Sequence, residues 1–224
     1  MAPVDRRLGI RFRHLILHVA TASVLVAAIS VLLNSGRSDS LSKATAYVGL
    51  FYLAVTLVIG PLNVLRGAAN PLSTYLRRDF GIIAGVLSLL HTFVGLQVHM
   101  SGDFIQYFFY RTPGGIGTMR FDIFGIANHL GLIAALVILV LLCISNNLSI
   151  RRLGPAGWKR IQKWNYIGAV LVVVHGLLYQ LIERRMFVFV AYVLGITAIA
   201  AIIQLLGFRR RSEQMARQPD FNSE

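Results

Sequence analysis

Six stretches of this chain contain no Lys, Arg, Asp or Glu: 15–33, 44–65, 80–100, 123–144, 164–182 and 186–208. Each is 19 to 23 residues long, and a helix needs about 20 apolar residues to cross the hydrocarbon core of a bilayer. Backbone N–H and C=O groups find no water there, so a spanning segment must pair them internally, as helix. The pattern predicts an all-α integral membrane protein, a six-transmembrane-helix bundle. Composition agrees. Hydrophobic residues make up 56% of the chain, charged residues only 14%, and the mean hydropathy is +0.66. A soluble domain carries about a quarter charged residues.

The net charge of +13 invites a nucleic-acid reading, but its distribution points elsewhere. With the N-terminus inside, sixteen of the 22 Lys and Arg fall on inner segments: Arg6–Arg13, 66–78, 151–163 and the tail. That asymmetry follows the positive-inside rule with both termini cytoplasmic. The expected layout is a cytoplasmic N-terminus over 1–14, a six-helix domain over 15–208 and a cytoplasmic tail over 209–224. The basic face accounts for the charge, so no nucleic-acid partner is expected and the bilayer is the first partner.

The first apolar stretch follows Arg6 and Arg7, as in a signal peptide. However, 19 residues is long for such a core, and "VLLNSGRSDS" offers no small-x-small cleavage site, so it reads as an uncleaved helix. The single Cys143 excludes an internal disulfide, a four-cysteine cluster and C-x-x-C-H haem attachment. No loop is long enough to bury its own core. "RRLGPAGWKR" reads as a tight basic turn. "RTPGGIGTMR" reads as a Gly-rich outer loop without the strand-then-helix setting of a phosphate loop. A nicotinamide or flavin domain would therefore lie on another chain.

With no charge inside the spans, histidines are their strongest polar features, and an ionisable residue there is a candidate for function. His91 sits in "GVLSLLHTFVGL" and His175 in "AVLVVVHGLLYQ". Each is the twelfth residue of its stretch, and both stretches run from inside to outside. At 1.5 Å rise, both lie about 17 Å from the inner end. Two neutral imidazoles at one depth on parallel helices can take the two axial positions of a haem iron. For either alone, the alternative is a histidine hydrogen-bonded to a neighbouring helix. Gly95, Gly168 and Gly176 suit a bulky macrocycle beside the pair, or simply close helix packing.

The segments "RRDFGIIAGVLSLLHTF" and "IRRLGPAGWKRIQKWNYIGAVLVVVHGLLY", with the six-span layout, resemble the ferric reductase-like transmembrane domain family. Within it the likeness is to the haem-binding membrane subunits of bacterial methionine sulfoxide reductase systems. It runs from about His18 to Tyr179. The resemblance implies a multi-pass protein of the bacterial inner (cytoplasmic) membrane with b-type haem ligated by His91 and His175. It also implies electrons from a cytoplasmic flavin reductase or flavoprotein, with FMN or FAD bound or on that partner, and delivery to a periplasmic redox partner or small oxidised acceptor. Two-haem relatives carry a second histidine on each ligand helix. Here the inner position on the fifth span is Gln162, and counting back from His91 reaches Arg78 or Arg77. Neither side-chain type ligates haem, so one haem is expected.

His18, near the inner end of the first span, matches a histidine of the family. His14 lies one turn earlier, at the interface, where a histidine ordinarily reaches water. His129 and His99 lie toward the outer edge, placed to flank a haem propionate or an acceptor, or to act as interfacial histidines. Trp158, Trp164 and Tyr166 cluster with Arg151, Arg152, Lys159, Arg160 and Lys163 at the inner end of the fifth span. They suit flavin or donor docking, or an aromatic belt with inside charges. Two functions follow: an electron-transfer subunit of an oxidoreductase, or a non-catalytic haem-binding or scaffold subunit of a larger membrane complex. A transporter lacks support, because no span carries carboxylates or paired helix breaks.

Overall fold

The computed structural model describes residues 3–33, 36–67 and 72–217, with side chains from residue 15 onward except at 37 and 72–75. The tail after 217, the His14 side chain and the basic side chains at 6–13 lie outside the described residues. Seven helices are seen there: α1 (Pro3–Leu33), α2 (Arg37–Leu65), α3 (Leu72–Gly95), α4 (Ile123–Cys143), α5 (Asn147–Gln162), α6 (Trp164–Ile182) and α7 (Phe187–Ala216). Of these, α1, α2, α3, α4, α6 and α7 supply six stretches long and apolar enough to cross a membrane. The protein is a multi-pass membrane protein. Large apolar side chains stand outward along the helices, Leu17, Val24, Val31 and Leu32 on α1 among them. In water such surface would be anomalous; in a bilayer it is the lipid-facing side.

The α2 helix is the axis of the bundle, packed against α3, α7 and α1, while α4 joins α6 and α3. Pro61 inside α2 has no N–H, which strips the Leu57 carbonyl of its helical partner. Gln204 of α7 repairs this, its Nε2 donating to Leu57 O at 2.7 Å. The two helices close up there because Gly207 faces Pro61: a Cβ on Gly207 would come within 2.5 Å of the proline Cβ. Gln204→Leu is expected to lower stability by about 1 kcal/mol, the usual cost of a carbonyl left without a donor. Thermal unfolding in detergent checks this, and an unchanged midpoint would mean that the carbonyl finds another donor.

The bundle has two distinguishable ends. At one, a hairpin of β1 (Phe109–Thr112) and β2 (Gly115–Met119) pairs antiparallel between α3 and α4. The Asp122 side chain then caps α4 by accepting from Gly125 N at 2.9 Å. The Gly-rich stretch read as a loop is thus partly strand. At the other end, the stretch 145–163 read as a loop and tight basic turn is mostly helical. Asn146 caps α5, accepting from Ser149 N at 2.8 Å, and the chain breaks only at Gly154, with φ 69° and ψ 160°, before Pro155. Trp158 Nε1 donates to Ile144 O at 3.0 Å and Arg78 Nη1 to Asn147 Oδ1 at 2.7 Å, fastening α5 to α4 and α3.

Apolar side chains fill the half of the bundle toward α5. Ala22, Tyr52, Leu57, Ile83 and Ala84 form one buried cluster, with Phe80 packed against it. Toward the hairpin the packing opens.

Candidate functional site

A cavity of about 480 Å³ lies among α2, α3, α4 and α6 and opens toward the hairpin end. That is within the range of pockets for small molecules and cofactors, roughly 300–1,000 Å³. His91 of α3 and His175 of α6 both line it. Their ring centres are 6.1 Å apart and their planes are inclined at 68°.

Each imidazole is anchored from behind by another helix. His91 Nδ1 is 2.9 Å from Ser42 O on α2, and His175 Nδ1 is 2.8 Å from Ala127 O on α4. A carbonyl only accepts, so these contacts place the proton on Nδ1 in each ring and leave the lone pair on Nε2. This arrangement orients a metal-binding histidine and raises its basicity. Room for the His175 ring comes from Gly131 of α4, where a Cβ would lie 2.7 Å from both Cε1 and Nδ1 of that ring. A Cβ on Gly95 would meet Ser42 Oγ and His91 Cε1 at ordinary contact, 3.4 and 3.8 Å, and a Cβ on Gly176, which lines the cavity, would touch nothing within 4 Å. Gly168 serves helix packing instead, against Val137.

From the pair a row of rings leads to the mouth. Tyr179, one turn beyond His175, has its ring centre 5.0 Å from it and 6.2 Å from His99. Its hydroxyl donates to Asn128 Oδ1 at 2.8 Å, and Asn128 Nδ2 donates to Phe124 O at 2.8 Å. At the mouth Glu183 is the hub of an ionic cluster. Arg185 meets it through Nε at 3.0 Å and Nη2 at 2.9 Å, while Lys43 Nζ and His99 Nε2 each approach to 3.4 Å. Lys43 also pairs with Asp39 at 2.5 Å, and Arg185 Nη1 donates to Tyr47 Oη at 2.8 Å.

Burial pushes the Glu183 carboxyl up, but the His99 hydrogen bond and the charges of Arg185 and Lys43 outweigh it and hold the group at about 2. A carboxylate depressed in this way stabilises the fold above its ordinary value, and that contribution fades as the pH falls through the folded-state value. The melting-temperature gap between the parent and Glu183→Gln is therefore expected to be full at neutral pH and to close between about 4.5 and 2. A gap that stays constant across that window would show that the carboxylate charge is not what stabilises the mouth.

Other histidines fall elsewhere. His129 Nδ1 bonds to Gly125 O on its own helix at 2.6 Å, and its ring meets Phe108 rather than the cavity. His18 packs on Phe80, with ring centres 4.6 Å apart, in the filled half of the bundle, and its Nε2 is buried without a partner. Arg151, Arg152, Lys159, Arg160 and Trp164 are exposed at the α5 end, remote from the cavity. The sequence reading passed over Lys43, Asn128, Tyr179, Gln180, Glu183 and Arg185. A signal for part of this set was present, because Val172, His175, Tyr179 and Glu183, just past the end of α6, recur at helical spacing.

Among the described residues no group of three or more His, Cys, Asp and Glu side chains is arranged to hold a metal ion. The pair offers two imidazoles on neighbouring helices, each with its Nδ1 engaged by a backbone carbonyl. No family model matches the chain, and no curated protein matches it significantly.

Proposed function

We propose that the protein is a haem b-containing electron-transfer subunit of a bacterial cytoplasmic membrane. It takes electrons from a flavin or flavoprotein on the cytoplasmic side and passes them to an acceptor on the outer side. The observation that carries this reading is the imidazole pair. Two metal–nitrogen bonds of about 2 Å, with about 1 Å more from each nitrogen to its ring centre, span roughly 6 Å, and the rings stand 6.1 Å apart. Haem b held there by His91 and His175 would supply a one-electron couple.

The chain's own work is to hold and insulate. The carbonyls of Ser42 and Ala127 keep both Nδ1 protons in place, so that neither ring turns its lone pair away. Leu50, Leu53, Ile138 and Val172 give the cavity apolar walls that exclude water from the macrocycle. Among the described residues, the half of the bundle toward α5 is filled by apolar side chains, which favours a single haem. The excess of basic residues at the α5 end supports a cytoplasmic location for that end under the positive-inside rule. The hairpin end then faces the outer compartment.

Haem content and the reduced-minus-oxidised spectrum of the purified chain test the reading. About one low-spin haem per chain, re-oxidised by an outer-side acceptor, supports electron transfer; a reducible haem that no such acceptor re-oxidises supports a non-catalytic haem-binding subunit. A chain with no haem rejects both. On the cytoplasmic side, reversing the exposed charges of Arg151, Arg152 and Lys159 is expected to slow haem reduction by a flavoprotein donor and to flatten its salt dependence. Stopped-flow reduction rates measure this, and rates equal to the parent's would remove α5 from the docking surface.

A further inference from the structure

The ionic cluster at the mouth is unusual in position: it forms part of the wall of a cavity that is otherwise mostly apolar. Lys43, Glu183 and Arg185 all line it, and their side chains are only 17%, 17% and 14% exposed. Two half-buried cations, held by Glu183 and, on Lys43, also by Asp39, would serve a ligand with an apolar body and anionic groups along one edge that can compete for them. The apolar body fits against Leu53, Ile138 and Val172, deeper in the same cavity. Gln180 adds a second sign of a ligand. It is 5% exposed, lines the cavity, and its Oε1 is buried without a partner. Turning its amide over would present N–H donors in place of that oxygen.

Resting on the haem reading, we propose that Lys43 and Arg185 form the carboxylate seat of this cavity, and that Glu183 holds the two cations ready and competes with the ligand for them. Haem b carries two propionate carboxylates on one edge of an apolar ring, which matches this division of the cavity. Charge-assisted hydrogen bonds to carboxylates are the strong ones, and Arg185 has the fork geometry for two at once. In the cluster Lys43 and Arg185 face the carboxylates of Asp39 and Glu183, with His99 beside them. Two further carboxylates must displace Glu183 from at least part of its hold.

The test uses the full chain, prepared without haem in lipid nanodiscs and titrated with ferric protoporphyrin IX or with its dimethyl ester, which has the same ring but no carboxylate charge. The Soret band gives a Kd for each. The parent is expected to favour the free acid by about tenfold or more. The double variant Lys43→Met, Arg185→Met should bring the ratio of the two constants near unity while still binding the ester, which also shows that its cavity is intact. Glu183→Gln should tighten the free acid several-fold and leave the ester unchanged. A double variant with the parent's ratio, or a Glu183→Gln chain with both constants unaltered, overturns the proposal. If the double variant fails to bind the ester, Lys43→Met alone is read by the same ratio, and an unchanged ratio again overturns it. A parent that binds both porphyrins equally rejects the carboxylate seat alone. A parent that binds neither rejects the haem reading as well.

Discussion

With haem b held by the imidazole pair as proposed, replacing His91 or His175 with alanine is expected to remove the low-spin haem spectrum from the purified protein. Either change deletes one imidazole of the pair and leaves a backbone carbonyl, Ser42 O or Ala127 O, without its Nδ1–H donor. The expected product is a haem-free chain or a five-coordinate, high-spin remnant held by the surviving imidazole. His129→Ala is expected to keep the full spectrum, because that ring bonds to its own helix and does not line the cavity. His99→Ala keeps it too, with a shift in potential or acceptor use at most, since His99 reaches the mouth cluster rather than the pair. Gln162→His does not add a second haem. No histidine at that depth on α3 can face it, and Tyr52, Leu57, Phe80 and Ile83 fill the half of the bundle toward α5. Haem per chain and the reduced-minus-oxidised spectrum of each variant decide this. Full low-spin haem in both the His91 and His175 variants would remove the pair from the iron.

The depth of the pair was legible because helical rise is constant: counting residues from the charged edges places His91 and His175 on a common level. The stretch 164–182 coincides with α6, and 123–144 overshoots α4 by one residue. What counting along one helix cannot supply is which helices are neighbours. That α2 and α4 provide the anchoring carbonyls depends on lateral packing, and the same apolar faces would suit several arrangements when lipid and protein are equally apolar. The mouth cluster was missed for a related reason. Lys43, Glu183 and Arg185 lie outside the charge-free stretches, yet α2 begins at Arg37 and carries Lys43 along the helix to meet the end of α6. The α5 helix was hidden by "GP", which signals a turn; the chain does break at Gly154, but it is helical on both sides.

Gly131→Val is expected to lose most of the haem without unfolding the bundle, and Gly131→Ala to lose part of it. A Cβ at this position would fall 2.7 Å from Cε1 and Nδ1 of His175, well inside the ordinary contact distance of about 3.5 Å between carbon atoms. The α4 backbone is held by its own hydrogen bonds and by buried Ala127, Ala134 and Ala135, so the ring must move rather than the helix. Any such movement stretches the bond from Nδ1 to Ala127 O and shifts the His175 ring relative to His91. A misplacement of about 1 Å matters at a site that depends on geometry to this degree. Alanine is a better helix former than glycine by about 1 kcal/mol, so a loss of haem in Gly131→Ala cannot be charged to a weakened helix. Gly195→Ala on α7 is the matched control, since a Cβ there would meet nothing within 4 Å. Haem content, the high-spin fraction and the melting temperature of the haem-free chain separate ligand displacement from general damage. A Gly131→Val protein with the parent's low-spin spectrum and stoichiometry would show that the close approach of α4 does not position His175.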